Sequence, residues 1–162
     1  VLGCNLRCVE CAVGSGLVRR KYGHMTMDQF SHIVKQMRAY CTYTYLHLWG
    51  EPMVNRDITS MIKVASRFAV TNISTNANTL NEEAAKELIH SGVSEIIVSI
   101  DGVSQEIYET YRRKGNVQKA FDGLKYLVKY NMLSGNKVSI GPQFVVFDHN
   151  KHEMNQFSMI CE

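Results

Sequence analysis

Apolar positions along the chain alternate between two periods. Met27, Phe30, Ile33, Val34 and Met37 recur at helical spacing. They follow Thr26 and Gln29, which have the form of a capping box, and predict a helix over 26–40. "YTYLHLW" at 43–49 is short, aromatic and β-branched, and predicts a strand ending at Gly50-Glu51-Pro52. Ile58, Met61, Ile62 and Ala65 predict a helix over 57–67, and "AVTNIS" a strand over 69–74. A helix over 81–92 follows, with Asn81 as N-cap, acids in its first turn and Gly92 closing it. "EIIVSI" at 95–100 predicts a strand with no polar face, the form of a buried parallel strand. Helices over 104–112 and 117–130, a strand over 137–147 and a helix from Lys151 complete the pattern.

Strands separated by helices imply crossover connections and a parallel sheet, hence an α/β fold. On pattern alone, a doubly wound sheet and a βα barrel are both open. In either, sites form at the carboxyl ends of the strands. Those ends carry Gly50-Glu51-Pro52, Ser74-Thr75-Asn76 and Ser99-Ile100-Asp101-Gly102. Val1-Leu2 reads as the tail of another strand, so the cysteine-rich loop behind it falls on the same rim.

The 162 residues, 45% apolar and 20% charged, suit one domain with a hydrophobic core. A net charge of +3 without a long basic block gives no reason to expect nucleic acid as a partner. No apolar run is long enough for a membrane span, and no signal peptide precedes the cysteines. Five cysteines, an odd number, argue against a paired secreted framework and for a reducing, cytoplasmic setting. Cys41 and Cys161 read as small buried hydrophobes. The abrupt start and the end inside a helix suggest a piece of a longer protein.

"CNLRCVEC" places Cys4, Cys8 and Cys11 at C-x3-C-x2-C spacing. Zinc would need a fourth ligand, from His24, Cys41 or His47. Cys8 and Cys11 alone form a C-x-x-C dithiol, a weak redox signal. Three thiolates on a four-iron cluster would leave one iron open for binding or chemistry.

"CNLRCVEC", "WGEP", "STNA" and "SIDG", in this order and at strand ends, resemble the radical S-adenosylmethionine (radical SAM) superfamily over nearly the whole chain. "YRRKGNVQKAFDGLKYL" further resembles its subgroup with a C-terminal SPASM or twitch extension, which includes peptide-modifying enzymes. The resemblance implies a partial TIM-like (βα)6 barrel and a radical SAM core domain over 1–162, lacking most of its first strand and its last βα unit. It implies a [4Fe-4S] cluster on Cys4, Cys8 and Cys11, with the open iron chelating SAM. Gly50, Glu51 and Pro52 would line the SAM amino group. Asn76, Ser99 and Asp101 would contact its ribose or carboxylate, and Arg112 would clamp the carboxylate. The strand segment 140–146 would pack on the adenine. Reductive SAM cleavage would give a 5′-deoxyadenosyl radical that abstracts hydrogen from a peptide or small-molecule substrate. An electron donor such as flavodoxin or ferredoxin is implied. Two positions depart from the family pattern. Glu10 stands where an aromatic residue is frequent, and Trp49 replaces the first glycine of the "GGEP" loop.

Taken singly, these residues have plainer readings. Glu51 is a loop acid, Asn76 a turn residue, Pro52 a strand stop, and Ser99 and Asp101 caps of the next helix. The six histidines show no metal spacing. Tyr40, Tyr43 and Tyr45 read as packing, and Met25, Met27 and Met37 as core. Two rival readings follow: a zinc-stabilised βα binding domain, and a radical SAM fold without turnover.

Overall fold

The computed structural model describes residues 2–162. Thr26 opens α1 (Met27–Met37). Its hydroxyl accepts from the Gln29 N–H while the Gln29 side chain accepts from the Thr26 N–H, the expected capping box. The chain continues through β1 (Tyr43–Tyr45), α2 (Ile58–Ala65), β2 (Val70–Thr75), α3 (Glu82–Ile89) and β3 (Glu95–Ser99). Then come α4 (Gln105–Tyr111), α5 (Val117–Leu133), β4 (Ser139–Gln143) and α6 (Met154–Cys161). Single 3-10 turns occupy Pro52–Val54 and Lys151–Glu153. Asn81, Ser104 and Asn116 cap α3, α4 and α5 through their side-chain oxygens.

All four strands are parallel, in the spatial order β1-β2-β3-β4. A doubly wound sheet reverses its strand order at a switch point. Here the order is sequential, so the sheet is an arc of a TIM-like βα barrel.

One face of the arc carries Ile73, Ile96 and Val98, at most 1% exposed. They pack with Leu88 of α3 and with Phe121, Leu124 and Leu127 of α5 into the main core. A second cluster joins Phe30 and Val34 of α1 to Met61 and Ala65 of α2. The opposite face is largely polar, with Asn72 and Ser74 on β2, Glu95 and Ser99 flanking Ile97 on β3, and Gln143 on β4. On β3 that face is therefore partly polar, where a strand without a polar face was expected. The reason is that only one side of this arc is covered by helices.

Two strands are shorter than expected. The ladder of β1 stops at Tyr45, although Leu46 still donates to the Asn72 carbonyl. Past it the chain turns through Gly50, at φ +81°, into the Glu51 loop. β4 stops at Gln143 because the Val145 N–H goes to the Asp101 carboxylate, at 2.8 Å. The strand tail expected at Val1-Leu2 falls partly outside the described residues. Leu2 itself belongs to no strand and donates to the Gly23 carbonyl.

Tyr40 and Tyr45 are 89% and 65% exposed, so they do not pack as expected. Tyr43 instead shares the Glu95 carboxylate with Asn72 across the polar face. Met25 is likewise on the surface, while Met27 packs on the α1–α2 cluster. Among the described residues no helix is long and apolar enough to cross a membrane.

Candidate cofactor site

The cysteine loop is held onto the carboxyl ends of the strands by backbone bonds to two other segments. The Glu51 N–H donates to the Gly3 carbonyl at 2.7 Å. On the other side, the Arg7 N–H donates to the Arg113 carbonyl at 2.9 Å and the Val9 N–H to the Tyr111 carbonyl at 3.1 Å. Parallel strands put all their carboxyl ends on one rim, so the loops expected to converge do converge.

Glu51 is 2% exposed and held by its own chain. Its carboxylate accepts from the Thr75 hydroxyl at 2.7 Å, the Asn76 N–H at 2.8 Å and the Met53 N–H at 3.1 Å. Burial pushes this carboxyl above the ordinary carboxylate range, against the hydrogen bonds from Asn76 and Thr75. Pro52, also buried, starts the 3-10 turn that the Glu51 side chain caps. Glu51 thus shapes the Gly50–Pro52 loop and joins it to the end of β2.

Asn76 carries that connection to the cysteines. Its amide donates to Asn5 Oδ1 at 2.9 Å and approaches Cys4 Sγ at 3.9 Å. The Leu6 N–H also donates to Cys4 Sγ, at 3.3 Å. The next residue, Ala77, is fully buried in the left-handed region, at φ +57°. Asn78 then bonds the Tyr108 hydroxyl at 2.9 Å and accepts from the Asn116 N–H at 2.7 Å, linking this loop to α4 and α5.

Asp101 is fully buried, and both its oxygens are taken. Oδ2 receives Nε and Nη2 of Arg112 at 2.7 and 2.6 Å, and Oδ1 receives the Val145 N–H. Two bonds that converge on one carboxylate oxygen hold the guanidinium in place. Burial opposes the charge of Arg112, and Asp101, Cys8 and Tyr108 together outweigh it, so the group stays cationic. Ser99 lies in a polar row, its hydroxyl 3.4 Å from both Ser74 Oγ and Gln143 Oε1.

Cys8 is buried, and Cys4 and Cys11 are half-buried. Burial pushes the Cys8 thiol up to about 11, against the Arg112 charge, which lowers it. The Cys4 thiol is raised by burial, opposed by the Leu6 N–H and reinforced by Glu51. Among the described residues, no group of three His, Cys, Asp or Glu side chains gathers closely enough for one metal ion. His24, Cys41 and His47 therefore close no zinc site with the cysteines. A single tetrahedral zinc needs sulfurs drawn to within about 4 Å of one another. A four-iron cluster spreads its thiolates over separate irons and asks for no such gathering. Three soft thiols on one loop, N–H groups directed at Cys4 and a cation beside Cys8 fit that wider, anionic group.

Sequence reasoning passed over Asn5, Gly14, Asn78 and Tyr108. Gly14 had a signal in "VGSG". A Cβ there would lie 2.6 Å from the Cys8 backbone N and O, so only glycine fits this close approach. A cleft of about 400 Å³ beside Cys4 is lined by Arg7, Gly14, Arg20 and Tyr22.

The sequence pattern of the Radical SAM superfamily matches residues 1–153. The chain is 27% identical over 161 residues to the mycofactocin maturase MftC of Mycobacterium ulcerans, covering 98% of this chain and 42% of that protein. It is 25% identical over 132 residues to a GTP 3',8-cyclase of Clostridium botulinum, covering 80% of this chain and 41% of that one. It thus spans about two fifths of the length of these relatives, both of them enzymes. Among solved structures, anSMEcpe with bound AdoMet superposes with a TM-score of 0.75 at 21% identity, over 97% of this chain and 43% of that one. Streptococcus suis SuiB bound to the precursor peptide SuiA superposes with a TM-score of 0.76 at 15% identity, over 99% of this chain and 34% of that one. The strand-end loops, the cysteine spacing and a match over nearly the whole chain lead to one assignment: this chain belongs to the Radical SAM superfamily, whose members use a [4Fe-4S] cluster and S-adenosylmethionine.

Proposed function

We propose that Cys4, Cys8 and Cys11 hold a [4Fe-4S] cluster and that the surrounding rim binds SAM. The chain is then the core domain of an enzyme that cleaves SAM reductively and abstracts hydrogen from a peptide. The observation that carries this reading is the hydrogen-bonded meeting of the cysteine loop with the Glu51, Asn76 and Arg112 segments. A cluster held by Cys4, Cys8 and Cys11 would supply the single electron for reductive cleavage of the SAM C5′–S bond.

The chain's own residues bind and orient. Gly50 and Pro52 offer backbone carbonyls to the SAM ammonium, in a loop whose shape the buried Glu51 fixes. Ser99 and Asn76 offer polar atoms at the ends of β3 and β2. Arg112 offers its Nη1, which has no hydrogen-bond partner among the described residues, to the SAM carboxylate. Asp101 acts through Arg112, because both its oxygens are already engaged.

A peptide substrate is favoured because a maturase is among the relatives and because SuiB was solved with a precursor peptide. The resemblance of residues 111–127 to the SPASM subgroup points the same way. A one-electron carrier such as flavodoxin or ferredoxin would reduce the cluster.

The test is product analysis. Full-length protein, reconstituted anaerobically with iron and sulfide and reduced with dithionite, is incubated with SAM and analysed by chromatography. The reading expects 5′-deoxyadenosine and methionine in equal amounts. A cluster-loaded protein that leaves SAM intact would sink it.

A further inference from the structure

Arg112 occupies a fixed place relative to Cys8. The two N–H groups flanking Cys8, on Arg7 and Val9, donate to the two carbonyls flanking Arg112, on Arg113 and Tyr111. Cys8 and Arg112 are therefore set opposite each other by backbone bonds that do not depend on either side chain. Asp101 then locks the guanidinium from behind with two bonds. Residue 112 is 9% exposed and residue 101 fully buried, so solvent screens this charge weakly.

We infer that the Asp101–Arg112 pair sets the reduction potential of the cluster, Arg112 as a fixed counter-charge facing Cys8 and Asp101 as the positioning residue that holds it. This inference rests on the cluster reading above and adds to it a role separate from SAM binding. Adding an electron to a thiolate-bound cluster increases its negative charge. A fixed cation nearby stabilises the reduced form and raises the potential, and a fixed anion lowers it. Because the backbone bonds set residue 112, and not residue 101, opposite Cys8, the net effect of the pair is upward.

The test is an EPR-monitored redox titration of the reconstituted full-length protein without SAM, so that a role in binding SAM cannot move the result. Arg112→Gln is expected to shift the reduction equilibrium about tenfold or more toward the oxidised cluster, a fall of about 59 mV for one electron. Arg112→Lys, which keeps the charge, should stay closer to the parent value. Asp101→Asn, which removes the opposing charge at nearly constant shape, should move the potential up by a smaller amount. Opposite shifts are the signature of paired charges, since structural damage has no reason to reverse sign between the two variants. An unchanged potential in Arg112→Gln, or shifts of the same sign in Arg112→Gln and Asp101→Asn, would overturn the inference. If Arg112→Gln holds no cluster, the direction of the Asp101→Asn shift decides alone, upward in support and unchanged or downward against. A parent protein that takes up no cluster overturns the proposed function and this inference with it, whereas a normal cluster with unmoved potentials overturns only the inference.

Discussion

The Glu51 carboxylate receives the Asn76 N–H at 2.8 Å, a contact between residues 25 positions apart that joins the loop after β1 to the end of β2. The same carboxylate receives the Thr75 hydroxyl, and the Asn76 side chain reaches on to Asn5. Glu51→Ala would leave buried donors on Thr75 and Asn76 unpaired, at a cost of about 2–4 kcal/mol. Urea unfolding should report that loss. Glu51→Gln keeps an acceptor and should cost less. Because burial raises the Glu51 carboxyl, its contribution to stability is full below the ordinary glutamate value of about 4.3 and declines as pH rises through the raised value. The stability gap between parent and Glu51→Gln should therefore vary with pH in that sense.

Glu153 gives the opposite pH sign. Its carboxylate accepts from the Ser104 hydroxyl at 2.5 Å and the Val103 N–H at 2.6 Å, fastening the entry of α6 to the start of α4. Burial raises this carboxyl, but the Ser104 and Val103 hydrogen bonds outweigh it and leave it below the ordinary range. Stability from a depressed carboxyl is present above about pH 4.3 and is lost as pH falls through the depressed value. Glu153→Gln should cost about 1–2 kcal/mol at pH 7. Thermal unfolding at stepped pH should show parent and variant converging in acid.

Gly14 lies against the Cys8 backbone. Gly14→Ala introduces a contact of 2.6 Å with main-chain atoms, which yield less readily than a side chain. The cysteine loop must move, because the atoms nearest to the added Cβ are the backbone of Arg7 and Cys8. Far-UV circular dichroism should stay at the parent value, and iron per protein after reconstitution should fall at least severalfold. Parent-level iron loading would contradict the close approach.

Much of this fold was legible because its signals are local. Thr26 with Gln29, Asn81 and Ser104 marked helix starts through short-range hydrogen bonds that the chain makes wherever it folds. The convergence of Glu51, Asn76 and Asp101 was legible too, because parallel strands end on one rim. Pairing across distance was not. Nothing in the sequence says that Asp101 spends both oxygens on Arg112 and Val145, so it read as a direct ligand. The ends of β1 and β4 were missed for the same reason. "LHLW" and "FVVF" are apolar enough for strands, yet the chain leaves the sheet there to build the rim. Gly14 was passed over, because its closeness to the Cys8 backbone is a tertiary contact that the local sequence does not show.

The central claim is that the three cysteines hold a four-iron cluster with one iron open to SAM. Low-temperature EPR of the dithionite-reduced, reconstituted full-length protein, recorded with and without SAM, tests it most directly. The account predicts a reduced four-iron signal that changes on adding SAM and is absent from a Cys8→Ala variant. A signal indifferent to SAM, or a colourless protein holding tightly bound zinc at these cysteines, would contradict it.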